Sequence, residues 1–325
     1  MKERIARILC AWFAKAKRDM PWRREPTPYC CWLSEIMLQQ TTFVSALPYY
    51  ERFLKKFPTV EALAAADESA VLKVWEGLGY YARARNLLKA AQMIVGDASQ
   101  RRRDRPVAWP TCAAEWSKVP GVGPYTAAAL SSVLNGERVP VVDGNVARVF
   151  ARFWMMDDDF SKLSARERLA ERLLEHMPAP RAGTPRGTVQ GDFNQAMMEL
   201  GALVCTPKSP ACRDCPLAKT CAAHKARCET DYPKKAKKGT VPVRRQKAVI
   251  IRNARGEILL VQNRDGGLLK GLWELPTIDE IGSLTHVFSH FKLEQTNYAA
   301  ARTDAEFKNP LSVPLTTATR KALAI

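Results

Sequence analysis

The sequence contains no apolar run that approaches the ~18 residues a membrane-spanning helix needs. Lys and Arg interrupt every apolar stretch near the N-terminus, so a secretory signal peptide is not expected. Acidic residues are also few, because 33 Asp and Glu stand against 50 Lys and Arg and leave a formal net charge of +17. These absences argue against a membrane protein. The excess of positive charge predicts a polyanionic partner.

The nine cysteines need an explanation other than disulfides. We expect a cytoplasmic, nucleoid-associated protein of bacterial type, in which thiols stay reduced. One set of cysteines follows the spacing C-x6-C-x2-C-x5-C and can wrap a single metal centre. Four cysteines suit tetrahedral zinc or an iron–sulfur cube, and this spacing favours the cluster only mildly. The set consists of Cys205, Cys212, Cys215 and Cys221.

The stretch from 119 to 145 organises the chain. Gly121 and Gly123 predict a tight hairpin, and Pro124 predicts the first turn of the helix that follows. Backbone N–H groups at the start of a helix suit a phosphate. Asp143 follows at short range, so the stretch indicates a DNA backbone held beside a reactive carboxylate. A helix–turn–helix with a capping aspartate is an equally good interpretation.

A second helix is predicted to begin at Thr27-Pro28, with Thr27 as its N-cap. Glu35 lies within its broad apolar side. A carboxyl in such surroundings tends to have a raised pKa, which suits a proton donor near neutral pH. The alternative is a solvated glutamate at the edge of the apolar face. The helix ends in 39–41, where Gln40 and Thr41 could replace the hydrogen bonds of a base pair.

A glycine-flanked loop, E-G-L-G-Y-Y, lies between two further predicted helices at 68–76 and 82–95. Such a loop can present Leu78 and Tyr80 as wedges that stack on DNA bases. Buried tyrosines are the alternative interpretation.

Together these motifs resemble the MutY family of adenine DNA glycosylases. The family belongs to the helix–hairpin–helix superfamily, which also includes endonuclease III. Five motifs keep their order and spacing between Trp22 and Cys221. The resemblance implies a mainly α fold with a two-lobed helix–hairpin–helix core and a [4Fe-4S] cluster loop. It also implies a cleft between the lobes for an adenine flipped out of double-stranded DNA, opposite 8-oxoguanine or guanine.

Carried over residue by residue, the resemblance gives Glu35 the role of the acid that protonates adenine N7. Asp143 becomes the carboxylate that stabilises the cationic sugar. Tyr125 stands where bifunctional relatives carry a lysine, so a monofunctional glycosylase is expected. The resemblance also assigns supporting residues. Tyr125 and Asn145 are helpers near the sugar; Trp22, Arg23, Leu38 and Gln195 form the adenine pocket; Gln40 and Tyr80 are wedges beside the lesion.

The resemblance also predicts the domain organisation. The glycosylase region spans 1–223, with a six-helix lobe at about 24–134 and a cluster lobe at about 1–23 and 135–223. A basic linker follows at 224–243, and a shortened, possibly truncated α+β Nudix-like domain spans 244–325. Within that domain, strands are expected at 248–252, 258–262 and 286–294. Phe288, Ser289 and His290 match the family's loop that reads 8-oxoguanine.

We expect a monomer. Two other functions compete with adenine excision: a pyrimidine-lesion glycosylase and lyase like endonuclease III, and a non-catalytic DNA-binding iron–sulfur protein. The Nudix hydrolase box is absent, so nucleotide hydrolysis is not expected.

Overall fold

The computed structural model describes residues 2–96, 107–179, 189–234, 248, 250–264, 269–276, 278–287, 292–300 and 306–324. Its helices are α1 (Lys2–Ala16), α2 (Pro21–Arg24), α3 (Pro28–Leu38), α4 (Phe43–Lys56), α5 (Val60–Ala64), α6 (Glu68–Trp75), α7 (Ala82–Val95), α8 (Ala113–Trp116), α9 (Pro124–Asn135), α10 (Gly144–Trp154), α11 (Leu163–His176), α12 (Val189–Leu203), α13 (Ala222–Lys225) and α14 (Thr317–Leu323). Its strands are β1 (Ile258–Gln262), β2 (Trp273–Glu274), β3 (Ile278–Val287), β4 (Lys292–Ala300) and β5 (Glu306–Lys308). The prediction of a mainly α protein is confirmed.

The N-termini of α3 and α9, which carry predicted functional residues, have the predicted capping residues. The side chain of Thr27 accepts a hydrogen bond from the backbone N–H of Cys30 at 3.2 Å, and Pro28 follows as the first residue of α3. Gly123 is the N-cap of α9, and Pro124 is its first residue. Proline fits there because its missing N–H would have no intrahelical acceptor.

One helix begins earlier than predicted. The sequence indicates a loop over 177–191, but α12 already begins at Val189. The buried side of the helix explains the difference, because Gln190 and Gly191 are both buried. A Cβ at Gly191 would lie 2.8 Å from the backbone of Val133, so glycine here permits close packing on α9 rather than ending a helix. In the described ranges, no helix is long and apolar enough to cross a bilayer.

The chain divides into two compact units, the first formed by 1–39 and 96–239, the second by 40–95 and 240–325. The core of the first unit lies among α1, α9, α10, α11 and α12, where Leu9, Phe150 and Phe193 are fully buried. This division differs from the lobes that the resemblance implies. Within the first unit, α3 packs on α9, which ties 28–39 to the helix after the hairpin.

The second unit contains α4 to α7 and the C-terminal strands. Strand β1 lies between β2 and β5 and is antiparallel to both. Its apolar residues form a small core with Trp273 and Leu315. The predicted strand at 258–262 is confirmed. Over its described residues, the predicted strand at 248–252 makes only isolated bridges, one of them between Arg252 and Ile258.

The remaining strands, β3 and β4, form an antiparallel pair with an irregularity between Glu280 and Gly282. The prediction of a single strand over 286–294 is wrong, because Val287 and Lys292 are register partners in opposite strands. Alternating apolar residues on both sides of the junction produced the error, since such a pattern does not show where a chain reverses.

Candidate active site

Asp143 is the N-cap of α10. Its Oδ1 accepts a hydrogen bond from the backbone N–H of Val146 at 2.7 Å, and its Oδ2 accepts one from Nδ2 of Asn145 at 3.0 Å. Burial raises the pKa of Asp143, and the hydrogen bonds from Val146 and Asn145 oppose that rise. The two sequence interpretations of Asp143 are therefore compatible. The capping carboxylate of Asp143 is half-buried, and two hydrogen bonds orient it.

A chain of hydrogen bonds runs from Asp143 to the cysteine loop. Nη2 of Arg148 donates to Oδ1 of Asn145 at 2.8 Å, and Nε of Arg148 donates to the carbonyl oxygen of Cys205 at 2.9 Å. Gly201 permits this approach, because a Cβ there would lie 2.6 Å from Cβ of Asn145. Arg148 was not predicted from the sequence. Its position one helical turn after Asn145 is the signal that could have found it.

Glu35 lies on α3 between buried neighbours and keeps partial exposure to solvent. Burial and then the negative charge of Asp143 raise the pKa of Glu35 to about 7, while the positive charge of Arg23 opposes the rise. A like charge raises a carboxyl pKa only at short range, and only if the other carboxyl ionises first. The charge of Asp143 therefore favours the protonated form of Glu35, and we refer to these two residues as the acidic group.

Tyr125 is affected by the acidic group. Burial and then the charges of Glu35 and Asp143 raise the pKa of Tyr125 well above its ordinary value, so the phenol stays neutral. Its hydroxyl donates to Sδ of Met198 at 3.0 Å. Met198 was not predicted from the sequence; it lies on α12 within one turn of the predicted pocket residue Gln195.

Arg23 is held by a buried carboxylate that sequence reasoning missed. Glu199 is 2% exposed and accepts hydrogen bonds from Nη2 of Arg23 at 3.2 Å and from Nε of Arg18 at 2.8 Å. Burial raises the pKa of Glu199, but the bonds from Arg18 and Arg23 outweigh it and lower the pKa to about 2. Nε of Arg23 also donates to Oε1 of Gln195 at 2.9 Å. Arg23 and Gln195, both predicted pocket residues, are thus joined by a hydrogen bond.

The other two predicted pocket residues differ in exposure. Trp22 is 8% exposed and packs in α2, where its carbonyl oxygen lies 3.8 Å from Sγ of Cys31. Leu38 is the last residue of α3 and is half-buried. Leu38 is therefore the more accessible of the two side chains.

The hairpin is tied to the end of α3. Gly121 is exposed and has a φ of +81°, a conformation that favours glycine. Nε2 of Gln39 donates to the carbonyl oxygen of Gly121 at 3.4 Å and to Oγ1 of Thr126 at 3.3 Å. Gly123 is exposed and caps α9 without a side-chain hydrogen bond. The first turn of α9 thus has no side-chain cap.

The remaining predicted DNA contacts lie in the second unit. Gln40 is exposed with a φ of +57°, and Thr41 is half-buried. Tyr80 is 54% exposed and has a φ of +51°, whereas Leu78 is only 8% exposed. Of the two predicted wedges in the loop, Tyr80 is exposed and Leu78 is buried. Phe288, Ser289 and His290 lie outside the described residues.

The four spaced cysteines line one small cavity. All the described cysteines have free thiols. Arg152 is 2% exposed, and its Nη1 donates to Sγ of Cys205 at 3.3 Å. Four cysteines that share one cavity, with a buried guanidinium beside them, are a ligand set that a metal centre can use. The four residues therefore fit a metal centre with four cysteine ligands.

Two further side chains stand beside Cys212. Its Sγ lies 3.5 Å from Oε1 of Glu229, and that oxygen lies 2.5 Å from Nδ1 of His224. The ligand atoms of these three residues all lie within 4.8 Å of one another. Because Cys212 is shared with the four-cysteine set, this group belongs to the same site.

Comparison with known proteins identifies the family. Residues 33–175 match the HhH-GPD superfamily of base excision DNA repair proteins. The chain is 35% identical to an adenine DNA glycosylase of Arabidopsis thaliana, over 85% of this chain and 48% of the relative. It is 30% identical to that of Buchnera aphidicola subsp. Schizaphis graminum, over 89% of this chain and 85% of the relative. The chain thus spans about half of the plant relative and most of the bacterial one.

Solved structures share the fold. A thermostable thymine-DNA glycosylase superposes with a TM-score of 0.58 at 25% identity, over 69% of this chain and 97% of that protein. A non-covalent endonuclease III–DNA complex superposes with a TM-score of 0.54 at 22% identity, over 70% of this chain and 98% of that protein. The second likeness is one of fold alone.

Proposed function

The chain belongs to the adenine DNA glycosylase family, and we propose that it hydrolyses the N-glycosidic bond of adenine paired with 8-oxoguanine or guanine in double-stranded DNA. The product is an abasic site. One observation supports this reaction most strongly: burial and the charge of Asp143 raise the pKa of Glu35 to about 7. The formal net charge of +17 supports a DNA partner.

Glu35 acts on the leaving group. With a pKa of about 7, a large fraction of its carboxyl is protonated at neutral pH. Transfer of that proton to N7 of the flipped adenine makes the base a neutral leaving group when the bond between N9 and C1′ breaks. Arg23 limits how far the pKa of Glu35 rises, so the acid still gives up its proton readily.

Asp143 acts on the sugar. Loss of adenine leaves positive charge on C1′ and the ring oxygen, and an ionised carboxylate stabilises that charge. The hydrogen bonds from Val146 and Asn145 favour the ionised form of Asp143 and orient it before substrate binds. Water then adds to C1′ and loses a proton, which completes the hydrolysis.

Tyr125 makes the enzyme monofunctional. Endonuclease III-like lyases use a lysine at this position to form a Schiff base with C1′, and a phenol cannot form that bond. The raised pKa of Tyr125, caused first by burial and then by the two acids, keeps its proton in place. Tyr125 and Asn145 therefore position the sugar and Asp143.

The remaining residues extrude the adenine and hold it. Arg23, Gln195 and Leu38 contact the base, with Trp22 behind them. Gln40, Thr41, Leu78 and Tyr80 act where the base leaves the stack. The N–H groups near Gly121 and Gly123 bind a phosphate.

The four cysteines hold a [4Fe-4S] cluster in this proposal. Cys205, Cys212, Cys215 and Cys221 would supply the ligands, and Nη1 of Arg152 donates a hydrogen bond to Sγ of Cys205. Such a cluster, when bound, would cross-link the cysteine loop. Arg148 then joins this rigid loop to Asn145 and so to Asp143.

The C-terminal domain is proposed to be Nudix-like and to read 8-oxoguanine through Phe288, Ser289 and His290. We propose that the protein acts as a monomer. In support, both catalytic acids and the four cysteines come from the first unit of one chain.

A substrate panel tests the function. Purified protein is mixed in excess with duplexes that carry adenine opposite 8-oxoguanine, guanine, cytosine or thymine, and abasic sites are cleaved by alkali. We expect rapid excision opposite 8-oxoguanine and guanine only. Borohydride should trap little covalent complex. Efficient trapping would identify a lyase of the endonuclease III type.

A further inference from the structure

The loop from Glu76 to Tyr81, called here the Tyr80 loop, has an unusual backbone. Gly77 and Gly79 have φ values of +97° and +77°, and Tyr80 follows with a φ of +51°. A bulky side chain is rarely found in this region, and it stays there only when its surroundings hold it. The ring of Tyr80 is nevertheless 54% exposed. The restraints must therefore act mainly on the backbone of the loop and on its two ends.

Some of these restraints come from neighbouring helices. Nε1 of Trp75 donates to the carbonyl oxygen of Gly79 at 3.0 Å. Nη2 of Arg83 donates to the same oxygen at 3.3 Å, and the Arg83 guanidinium lies 5.3 Å from the centre of the Tyr80 ring. These three contacts act on Gly79 and Tyr80.

The first residue of the loop is held by the C-terminal segment. Glu76 is 8% exposed, and its Oε1 lies 3.2 Å from Nε of Arg320 on α14. Its Oε2 accepts a hydrogen bond from Nζ of Lys73 at 2.8 Å, and Nζ also donates to the carbonyl oxygen of Val313 at 3.0 Å. A buried carboxylate needs such partners, so Glu76 couples the loop to α14.

The same arginine lies against the next residue. A Cβ on Gly77 would be 2.5 Å from Nη1 of Arg320 and 2.5 Å from the hydroxyl oxygen of Tyr49. Arg320 therefore occupies the space that the missing side chain of Gly77 leaves. At the other end of the loop, the hydroxyl of Tyr81 donates to the carbonyl oxygen of Leu315 at 3.1 Å. The C-terminal segment thus contacts both ends of the Tyr80 loop.

The helix that carries Arg320 is anchored to the sheet. The side chain of Thr316 caps α14 through the N–H of Thr319, and Oγ1 of Thr319 accepts a hydrogen bond from the N–H of Leu275. Two backbone hydrogen bonds join Trp273 to the segment before α14. The N–H of Trp273 donates to the carbonyl oxygen of Pro314 at 2.8 Å, and the N–H of Thr316 donates to the carbonyl oxygen of Trp273 at 2.9 Å. The position of Arg320 is therefore set by the C-terminal domain.

We propose that Arg320 is a positioning residue that holds the Tyr80 loop in the conformation that inserts into DNA. The C-terminal domain then promotes adenine extrusion by a route separate from any reading of the opposite base. This inference rests on the proposed function, in which Tyr80 stacks on DNA. Loss of Arg320 leaves Glu76 with fewer partners and opens space beside Gly77, so the loop samples conformations in which Tyr80 no longer projects.

The test compares Arg320→Ala with Lys321→Ala. Lys321 is the next residue of α14 and is exposed, so its variant removes the same charge from the same helix. Single-turnover excision is measured on two duplexes with adenine opposite 8-oxoguanine, one fully paired and one in which mismatches beside the adenine already unstack it. We expect Arg320→Ala to lower the excision rate about tenfold on the paired duplex and less than about twofold on the unstacked one. Only the paired duplex requires free energy to unstack the adenine. Lys321→Ala should match the parent on both.

A merely structural role for Arg320 would lower both rates together. A double variant adds a second criterion: if Arg320 acts through Tyr80, Arg320→Ala combined with Tyr80→Ala should be no slower than Tyr80→Ala alone. Additive losses, equal losses on the two duplexes, or an Arg320→Ala variant equal to Lys321→Ala would overturn the inference while the proposed function stands. If the parent protein releases no adenine from either duplex, both fall together.

Discussion

The acidic group of the first unit and the Tyr80 loop of the second differ in how they are built. Glu35, Asp143 and Tyr125 are half-buried polar or charged groups, and the pKa of each depends on burial and on the groups around it. Tyr80 is an exposed aromatic ring whose usefulness depends on a left-handed backbone conformation. The first site depends on electrostatics and the second on shape.

This difference has consequences for how each site fails. A buried charge changes reactivity by orders of magnitude when it is removed, because nothing else in a dry pocket replaces it. A wedge contributes only part of the free energy of unstacking, and neighbouring contacts share that contribution. We therefore expect substitutions in the acidic group to change the chemical step strongly. Substitutions in the Tyr80 loop should change extrusion moderately.

Glu35→Gln should give the largest effect. The amide cannot protonate adenine, so the single-turnover rate should fall by about 10²–10⁴-fold. Glu25→Gln is the matched control, since Glu25 is exposed in the turn after α2. Excision by Glu35→Gln at the parental rate would show that Glu35 is not the acid that protonates adenine.

Asp143→Asn should lower the rate by about 10²–10³-fold, because the amide carries no charge to face the cationic sugar. Asparagine is as good an N-cap as aspartate, so α10 should remain folded and the variant isolates the charge. An unchanged thermal unfolding midpoint with a large loss of rate supports the proposed role. Loss of both together would indicate that Asp143 acts mainly as the cap.

Tyr80→Ala should cost about tenfold or more on a paired duplex, because stacking of an aromatic ring on a base is worth roughly 1–3 kcal/mol. Met93→Ala is the control, since Met93 lies in the same unit and is also 54% exposed. A duplex with an unstacked adenine should restore most of the lost rate. If the loss persists on that duplex, Tyr80 would belong with the chemical step, and the contrast between the two sites would be wrong.

Arg23→Gln should give the smallest change in maximal rate but a directional change in pH dependence. The positive charge of Arg23 favours the ionised form of Glu35. Its removal favours the protonated form, so the pH at which activity declines should move upward. Arg24→Gln, which removes an exposed charge from the next residue, should leave the profile in place. A downward shift for Arg23→Gln would contradict the electrostatic assignment.

The sequence was most informative where a motif is local. Thr27, Pro124 and Asp143 could be placed at helix starts because capping depends on neighbours within one turn. Most helix bounds could be predicted for the same reason. The spacing of the four cysteines likewise predicted that they surround one space, and all four line the same cavity.

Contacts between distant segments could not be predicted. Glu199 on α12 holds Arg23 on α2, and Arg320 meets Glu76 across 244 positions of sequence (320 minus 76). Neither glutamate has a local pattern that distinguishes it from a solvated one. Their burial depends on how helices pack, which periodicity does not specify.

The central claim is that one acid is protonated and the other ionised when adenine leaves. The most direct measurement is the pH dependence of the single-turnover rate on a duplex with adenine opposite 8-oxoguanine, from about pH 5 to about pH 9. Because Glu35 must carry its proton and has a pKa of about 7, the rate should fall as pH rises through about 7, and this fall should vanish from the residual activity of Glu35→Gln. A rate that stays constant through neutral pH, or a decline that survives in Glu35→Gln, would contradict the claim.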